Sequence, residues 1–142
     1  MVEIAIKDAV GEPSPAQQSG ATLKVLQDVV EERARQILRE GFGPSHDDQH
    51  YDFSMAKAAS VYAACASVGT SDRAVMDQHG LRGTPGKLQE LWPISWDISW
   101  LKPVSRRRDL IKAAALIIAE IERLDRLGAV AQVEASAEGG EA

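Results

Sequence analysis

The chain has 142 residues, with 16 lysines and arginines against 21 aspartates and glutamates, and its formal net charge is −5 at pH 7. This length fits a single domain. A hydrophobic fraction of 44% and a charged fraction of 26% exclude a collagen-like, mucin-like or wholly disordered chain. The acidic balance argues against a protein that binds nucleic acid polymers by neutralising their phosphates. It does not exclude a small anion held by a few arginines.

The cysteine content and the hydropathy pattern indicate where the protein resides. Cys65 is the single cysteine and cannot form an internal disulfide, which favours a reducing compartment. The first residues lack the basic-then-apolar order of a secretion signal. The longest apolar stretch, Ala113–Ala119, is far shorter than the roughly 20 residues of a membrane helix. We therefore expect a cytoplasmic protein with no membrane partner.

The two ends of the chain have compositions that differ from the middle. Residues 1–20 are predicted to form an arm or linker, in which alternating apolar residues allow a short strand over Val2–Val10. Residues 129–142 are rich in Ala, Glu and Gly and predict a disordered tail. A single helical domain is therefore expected over residues 21–128.

Three main helices are predicted within this domain, which makes the fold all-α. The first runs from about Ala21 to Glu40, and the second from about Phe53 to Ser67. Small residues predominate in the second helix and allow close packing, so we expect it to be central. The third helix begins after Ser105, a good N-cap, and is expected to end at Gly128. Its apolar stripe is broad enough for one part to pack in the core while another part contacts a partner.

A long connection with several Gly and Pro residues, Val68 to Val104, joins the second and third helices, and a short helical turn is expected near Asp72–His79. All three tryptophans lie in this connection at four-residue steps: Trp92, Trp96 and Trp100. In one interpretation they cover the Ala-rich second helix. In the other they form a stacking surface for a purine or nicotinamide ring. The sequence leaves both open.

The most conspicuous polar cluster combines histidine and aspartate, which are ligands for zinc, iron or manganese. Its members are His46, Asp47, Asp48 and His50. The alternative is a capping loop in which the aspartates accept backbone N–H bonds. Metal coordination needs three or four convergent ligands, and this cluster alone is in view. We therefore expect neither a metal nor another cofactor.

Two arginines lie on apolar helix faces. Arg33 follows the apolar stripe of the first helix, and Arg107 is expected on the inward side of the first turn of the third helix. An arginine directed at a core either binds a planar anion or pairs with a carboxylate, for which the candidates are Asp28, Glu32, Asp109 and Glu120. Arg106 and Arg108 crowd further positive charge at this helix start, which is unfavourable unless an anion or an acid such as Asp109 offsets it. The predicted ligand-binding residues are Arg33, Trp92, Trp96, Arg107, Arg108 and Asp109.

Signatures of catalysis are few. The sequence contains no P-loop, no G-x-G-x-x-G, no C-x-x-C pair, no H-E-x-x-H and no G-x-S-x-G motif. The spacing of Glu122 and Asp125 could hold magnesium on one helical face, although charged late turns are usually solvated. These features favour binding over catalysis and leave enzymatic activity uncertain.

Five motifs occur in order along the chain: Glu32–Gln36, Glu40–His50, Trp92–Pro93, Trp100–Pro103 and Arg107–Arg126. Together they resemble a widespread family of small phage and prophage proteins over about residues 29–127. A looser resemblance is to phage sponge proteins of the Thoeris-inhibitor type, small oligomers that bind cyclic ADP-ribose isomers or cyclic oligonucleotides. That resemblance implies a pocket built from arginines, an aromatic residue and an Arg-Asp pair at a helix start, which Arg108 and Asp109 could supply.

The resemblance therefore implies a phage-encoded anti-defence protein in the cytoplasm of the bacterial host. It would form dimers or larger homo-oligomers and sequester a small anionic nucleotide without catalysis. One alternative is an all-α, magnesium-dependent nucleotide pyrophosphohydrolase-like enzyme. The other is a phage accessory protein that binds a host protein through its tryptophan surface.

Overall fold

The computed structural model describes residues 11–40 and 53–140, and it is helical throughout these ranges apart from short connections. The prediction of an all-α fold is confirmed. Two 3₁₀ turns, Gly80–Gly83 and Ile98–Trp100, lie between the α-helices. No helix in the described ranges is long and apolar enough to cross a membrane. The α-helices are α1 (Pro15–Glu40), α2 (Ser54–Ser67), α3 (Thr70–His79), α4 (Gly86–Glu90) and α5 (Arg106–Gly140).

The start of α1 differs from the prediction. The helix begins at Pro15 rather than near Ala21, so the predicted linker is helical from that point. The Ser14 hydroxyl accepts from the backbone N–H of Gln17 at 3.2 Å, and the Gln17 side chain accepts from the backbone N–H of Ser14 at 2.8 Å. This reciprocal capping box, with proline at the first helical position, starts a helix. The predicted strand over Val2–Val10 lies outside the described residues.

The start of α5 matches the prediction, but its end does not. The Ser105 hydroxyl accepts from the backbone N–H of Arg108 at 3.1 Å, as expected of an N-cap. The helix then continues through Gly128 to Gly140, so the prediction of a disordered tail is wrong as far as residue 140. Ala, Leu and Glu are strong helix formers, and a single glycine weakens a helix by only about 1 kcal/mol.

The main core lies between α5, α2 and the connection that follows α2. The prediction of a central α2 is wrong, because Ala56, Ser60 and Ala63 are exposed on the outer side of α2. On its inner side, Ala58, Val61 and Cys65 are fully buried. This face packs against α5, whose Ala113 and Leu116 belong to the same cluster. A second, smaller cluster joins α1 to α5. The α5 helix therefore holds the other two long helices, and its first turn lies close to both.

The connection between α2 and α5 folds back onto the core. The short helix expected near Asp72–His79 is present as α3. The following turn packs so closely on α3 that a Cβ atom on Gly83 would lie 2.4 Å from the Val75 carbonyl oxygen. Only glycine permits this approach. The rest of the connection, which carries the tryptophans, then runs across α2 toward the start of α5.

A charged cleft between α1 and the start of α5

The first turn of α5 contains four consecutive charged residues that reach different parts of the fold. Arg106 donates from Nη1 to the carbonyl oxygens of Ala66 and Val68, at 2.8 and 2.6 Å. These carbonyls lie at the C-terminal end of α2, where the helix dipole attracts a cation. Arg106 therefore connects α2 to α5.

Asp109 occupies the interior of the domain rather than a ligand site. Its side chain is fully buried, and Oδ2 accepts from Arg73 Nη1 at 2.6 Å while Oδ1 accepts from the backbone N–H of Val104 at 2.9 Å. Arg73 also donates to the Cys65 carbonyl and to Asp77. Burial, together with the negative charge of Asp109, raises the pKa of the Cys65 thiol to about 11. The predicted ligand-binding carboxylate thus holds α3 to α5.

Arg107 and Arg108 both turn toward α1. Arg107 donates from Nη2 to Asp28 Oδ2 at 2.6 Å, and its side chain is 61% exposed. The expected inward orientation of Arg107 is therefore wrong, because the acid that pairs with it lies at the surface of α1. Arg108 donates to Glu32 Oε2. The two acids offset the crowded positive charge at the helix start, so this crowding does not by itself require a bound anion.

Glu32 is the buried centre of this charge cluster. Arg35 donates to both of its oxygens, from Nε at 2.8 Å and from Nη2 at 2.7 Å, and Gln36 donates at 3.3 Å. Burial by itself would raise the pKa of Glu32. The hydrogen bonds from Arg35 and Gln36 and the charges of Arg108 and Arg35 outweigh that effect and hold this pKa below its ordinary value.

Around this cluster α1 and the start of α5 border an open cleft of about 390 Å³. A volume of this size is within the range of small-molecule sites. Three guanidinium groups and three carboxylates face one another across it. The lining residues are Asp28, Glu31, Glu32, Arg35, Arg107 and Arg108.

An aromatic ladder lines a separate, smaller cavity that shares Glu32 and Arg35 with the cleft. Tyr62, Trp92, Trp96 and Trp100 stack edge to face in succession, with ring centroids 5.8, 5.6 and 5.8 Å apart. Trp92 and Trp96 are buried in the main core. The first interpretation, in which the tryptophans cover the Ala-rich helix, describes these two. Trp100 remains 43% exposed.

This smaller cavity between the ladder and Glu32 connects the rings to the charged groups. Its volume of about 20 Å³ is sufficient for roughly one water molecule. Trp100 and Lys112 line it, together with Glu32 and Arg35, which also line the larger cleft. Trp100 therefore lines the same small cavity as Arg35, which is also one of the arginines of the cleft.

Hydrogen bonds fix the backbone on either side of the Trp100 ring. The Tyr62 hydroxyl donates to the Trp100 carbonyl at 3.2 Å and accepts from the Lys102 N–H at 3.0 Å. Lys112 donates from Nζ to the Lys102 carbonyl at 2.7 Å, and burial lowers the pKa of Lys112. The position of the Trp100 ring is thus set by groups from α2 and α5.

Only part of the predicted ligand set lies at the cleft. Arg107 and Arg108 line it, whereas Trp92, Trp96 and Asp109 are buried elsewhere. Arg33 is also buried on another side of α1, with Nη2 at 3.7 Å from Glu122 Oε2.

Four residues of α1 line the cleft: Asp28, Glu31, Glu32 and Arg35. Asp28 and Glu32 are predicted ion-pair partners of the arginines on the apolar faces, whereas Arg35 is not among the predicted site residues. Asp28, Glu32 and Arg35 follow one another at intervals of four and three residues. This spacing places them on one helical face. The spacing was therefore a signal in the sequence that could have identified the α1 side of the site.

The predicted metal ligands belong to a part of the chain that the structure does not describe. The cluster His46, Asp47, Asp48 and His50 lies outside the described residues. Within residues 11–40 and 53–140, no three or more His, Cys, Asp or Glu side chains are grouped closely enough to hold a metal ion.

No protein-family model, curated protein or solved structure matches the chain. A functional assignment therefore depends on the cleft itself.

Proposed function

We propose that this protein binds a small anionic nucleotide in the charged cleft and sequesters it without chemical change. The carrying observation is the convergence of three guanidinium groups, Arg35, Arg107 and Arg108, on one cleft of about 390 Å³. Guanidinium forks match the geometry of phosphate oxygens and bind them through charge-assisted hydrogen bonds. The resemblance to phage proteins supports an anti-defence role in which the nucleotide is a host signal.

The ion pair between Arg107 and Asp28 is exposed, so that a phosphate could take the place of Asp28 on Arg107. Arg107 is bonded to Asp28, and Asp28 also accepts from Lys24 at 3.3 Å. The hydrogen bond from Arg107, followed by that from Lys24, lowers the pKa of Asp28. Solvent-exposed pairs of this kind contribute little to stability. A phosphate can therefore replace Asp28 on Arg107, while Lys24 continues to neutralise the carboxylate.

The neighbouring aromatic ring supports a nucleotide rather than a free phosphate. Trp100 presents part of its surface next to residues that also line the cleft. Stacking of a base on an aromatic side chain contributes roughly 1–3 kcal/mol. A ligand with its base on Trp100 and its phosphate on Arg107 would use both features. A nucleic acid polymer is disfavoured by the net charge of −5 and by the acids in the cleft.

The arrangement of the carboxylates supports sequestration over hydrolysis. Glu32 already accepts from Arg35, Arg108 and Gln36. Glu122, one member of the acidic pair considered for magnesium, faces Arg33 rather than the cleft. A pyrophosphohydrolase would need acids that are available to hold the metal beside the phosphates.

Arg107→Ala is expected to weaken nucleotide binding roughly 10- to 100-fold, which corresponds to one charge-assisted hydrogen bond to phosphate. Because the Arg107 side chain is exposed, this variant is expected to keep its fold. The probes are cyclic ADP-ribose, a cyclic dinucleotide and ADP, measured by isothermal titration calorimetry. Arg108→Ala is a poorer test, because it also removes a partner of the buried Glu32.

Arg82→Ala is the matched control, because Arg82 is an exposed arginine away from the cleft. It should bind the probes as the wild type does. Mass spectrometry of the recovered probe separates binding from hydrolysis. Equal affinities of Arg107→Ala and wild type would place the binding site elsewhere, and a cleaved probe would contradict sequestration.

A further inference from the structure

We infer that a second copy of this chain packs on an apolar face formed by α1 and α5. The side chains on this face are 36–64% exposed, in contrast to the buried core side chains of the same helices. We call this surface the α1–α5 face. Its main residues are Leu26, Val30 and Ile37 of α1 and Ile117, Ile121 and Leu124 of α5.

The position of this face follows from the helical period. On α5, Ala113, Leu116 and Ala119 turn toward α2 and are buried. Ile117, Ile121 and Leu124 share a stripe, since residues three and four apart lie on one face, and this stripe is rotated away from α2 toward solvent. The α1 helix packs along the flank of α5, so the stripes of the two helices lie next to each other. Ala114 and Ile118, which are partly buried against the α1–α5 cluster, lie between them.

The area of the face is comparable to what a stable dimer buries. From their exposed fractions, the six side chains present on the order of 600 Å² of mostly apolar surface, at the upper end for the largest patch on a monomer. A standard interface buries about 800 Å² on each partner, of which about two thirds is apolar in homodimers. The face therefore supplies the apolar area that one such interface requires.

The projecting ends of the two helices favour a second copy over an unrelated partner. Asp28 contacts Arg107, Val29 packs with Ile111 and Ala115, and Arg33 lies near Glu122. Later residues of α1 thus meet later residues of α5, so the two helices run in the same general direction. Residues 15–27 of α1 therefore extend past the start of α5, and residues 127–137 of α5 extend past the other end. Both segments are exposed.

A two-fold axis perpendicular to α5 would place each projecting end beside the opposite projecting end of the other copy. Residues 15–27 contain a single charged residue, Lys24, and residues 127–137 contain a single one of opposite sign, Glu134. Few charges would therefore lose water when the ends pack together, and those few attract. This antiparallel dimer does not depend on nucleotide binding.

The test is sedimentation equilibrium of the full chain at about 10 μM. The wild type is expected to have twice the monomer mass of 15.4 kDa. The double variant Ile117→Glu/Ile121→Glu places charges at the centre of the face and should raise the dimer dissociation constant by on the order of 100-fold or more. Both residues are exposed, so circular dichroism should show that the fold is kept.

Ile94→Glu is the control, since Ile94 is a fully exposed isoleucine outside the face. It should leave the dimer intact. A wild-type monomer at this concentration would overturn the inference. So would a dimer that persists in the double variant, because the copies would then meet through another surface.

Discussion

Replacing Asp109 with alanine is expected to lower the free energy of unfolding by about 3–5 kcal/mol, the usual cost of removing one partner of a buried ion pair. The Asp109 side chain is fully buried, and Arg73, which pairs with it at 2.6 Å, is 4% exposed. The variant would leave the Arg73 charge inside the protein and the Val104 N–H without its acceptor. Urea unfolding followed by circular dichroism measures the loss.

Asp77→Ala is a matched control for Asp109→Ala, because Asp77 also pairs with Arg73 at 2.7 Å but is 49% exposed. This variant should lower the free energy of unfolding by less than about 1 kcal/mol, which is the usual effect of removing an exposed ion pair. If the two variants lost similar stability, the buried pair would not be the structural connection between α3 and α5 that its geometry indicates.

Replacing Glu32 with alanine is expected to cost about 2–4 kcal/mol at pH 7, somewhat less than the cost for a fully buried pair. Arg35 and Arg108 would lose their common carboxylate, but their side chains are 28% and 38% exposed and can regain water. Urea denaturation at constant ionic strength is a suitable measurement. Glu90→Ala removes an exposed acid outside the cleft and should have little effect.

The contribution of Glu32 is also expected to depend on pH. Its pKa is lowered in the folded protein from the ordinary value of 4.5, so the folded state binds this proton less readily than the unfolded state. The stabilisation is therefore complete above pH 4.5 and is lost as the pH falls through the folded pKa. The stability difference between wild type and Glu32→Gln should shrink from pH 7 to pH 3. A difference that stayed constant would contradict the proposed ion pairing.

The sequence predicted the helices better than their ends. Apolar periodicity and the Ser105 cap located α5, and the small residues of α2 indicated that it packs closely on its neighbours. The capping box at Ser14 and Gln17 was present in the sequence but was obscured by a composition typical of linkers. The helical stretch after Gly128 was missed because it lacks an apolar period, although its residues favour a helix.

The candidate site was less predictable because its pairs join distant parts of the chain. The first turn of α5 was recognised as a group of charged residues. Which charge faces the core depends on the rotation of α5 against α1 and α3. Asp109 meets Arg73, 36 residues earlier, whereas Arg107 meets Asp28, 79 residues earlier. Local patterns do not specify such partners.

The positions of the tryptophans also could not be predicted from local sequence patterns. Their four-residue spacing was compatible both with a cover for α2 and with a stacking surface, and tertiary packing divides them. Trp92 and Trp96 fill the core, where small residues of α2 leave room, while Trp100 remains partly exposed beside the small cavity. Only the packed structure distinguishes a ring that stabilises the fold from one that can meet a ligand.

The most direct test of nucleotide binding in the cleft is a heteronuclear NMR titration of the full chain with cyclic ADP-ribose and with a cyclic dinucleotide. The backbone amides of Arg107 and Arg108 and the indole N–H of Trp100 are expected to shift in a saturable way. The indole N–H of Trp92, which donates to the Asp97 carbonyl at 3.1 Å inside the fold, should move little. Unchanged signals at the cleft with both probes at millimolar concentration, or saturable shifts confined to other surfaces, would contradict the proposal.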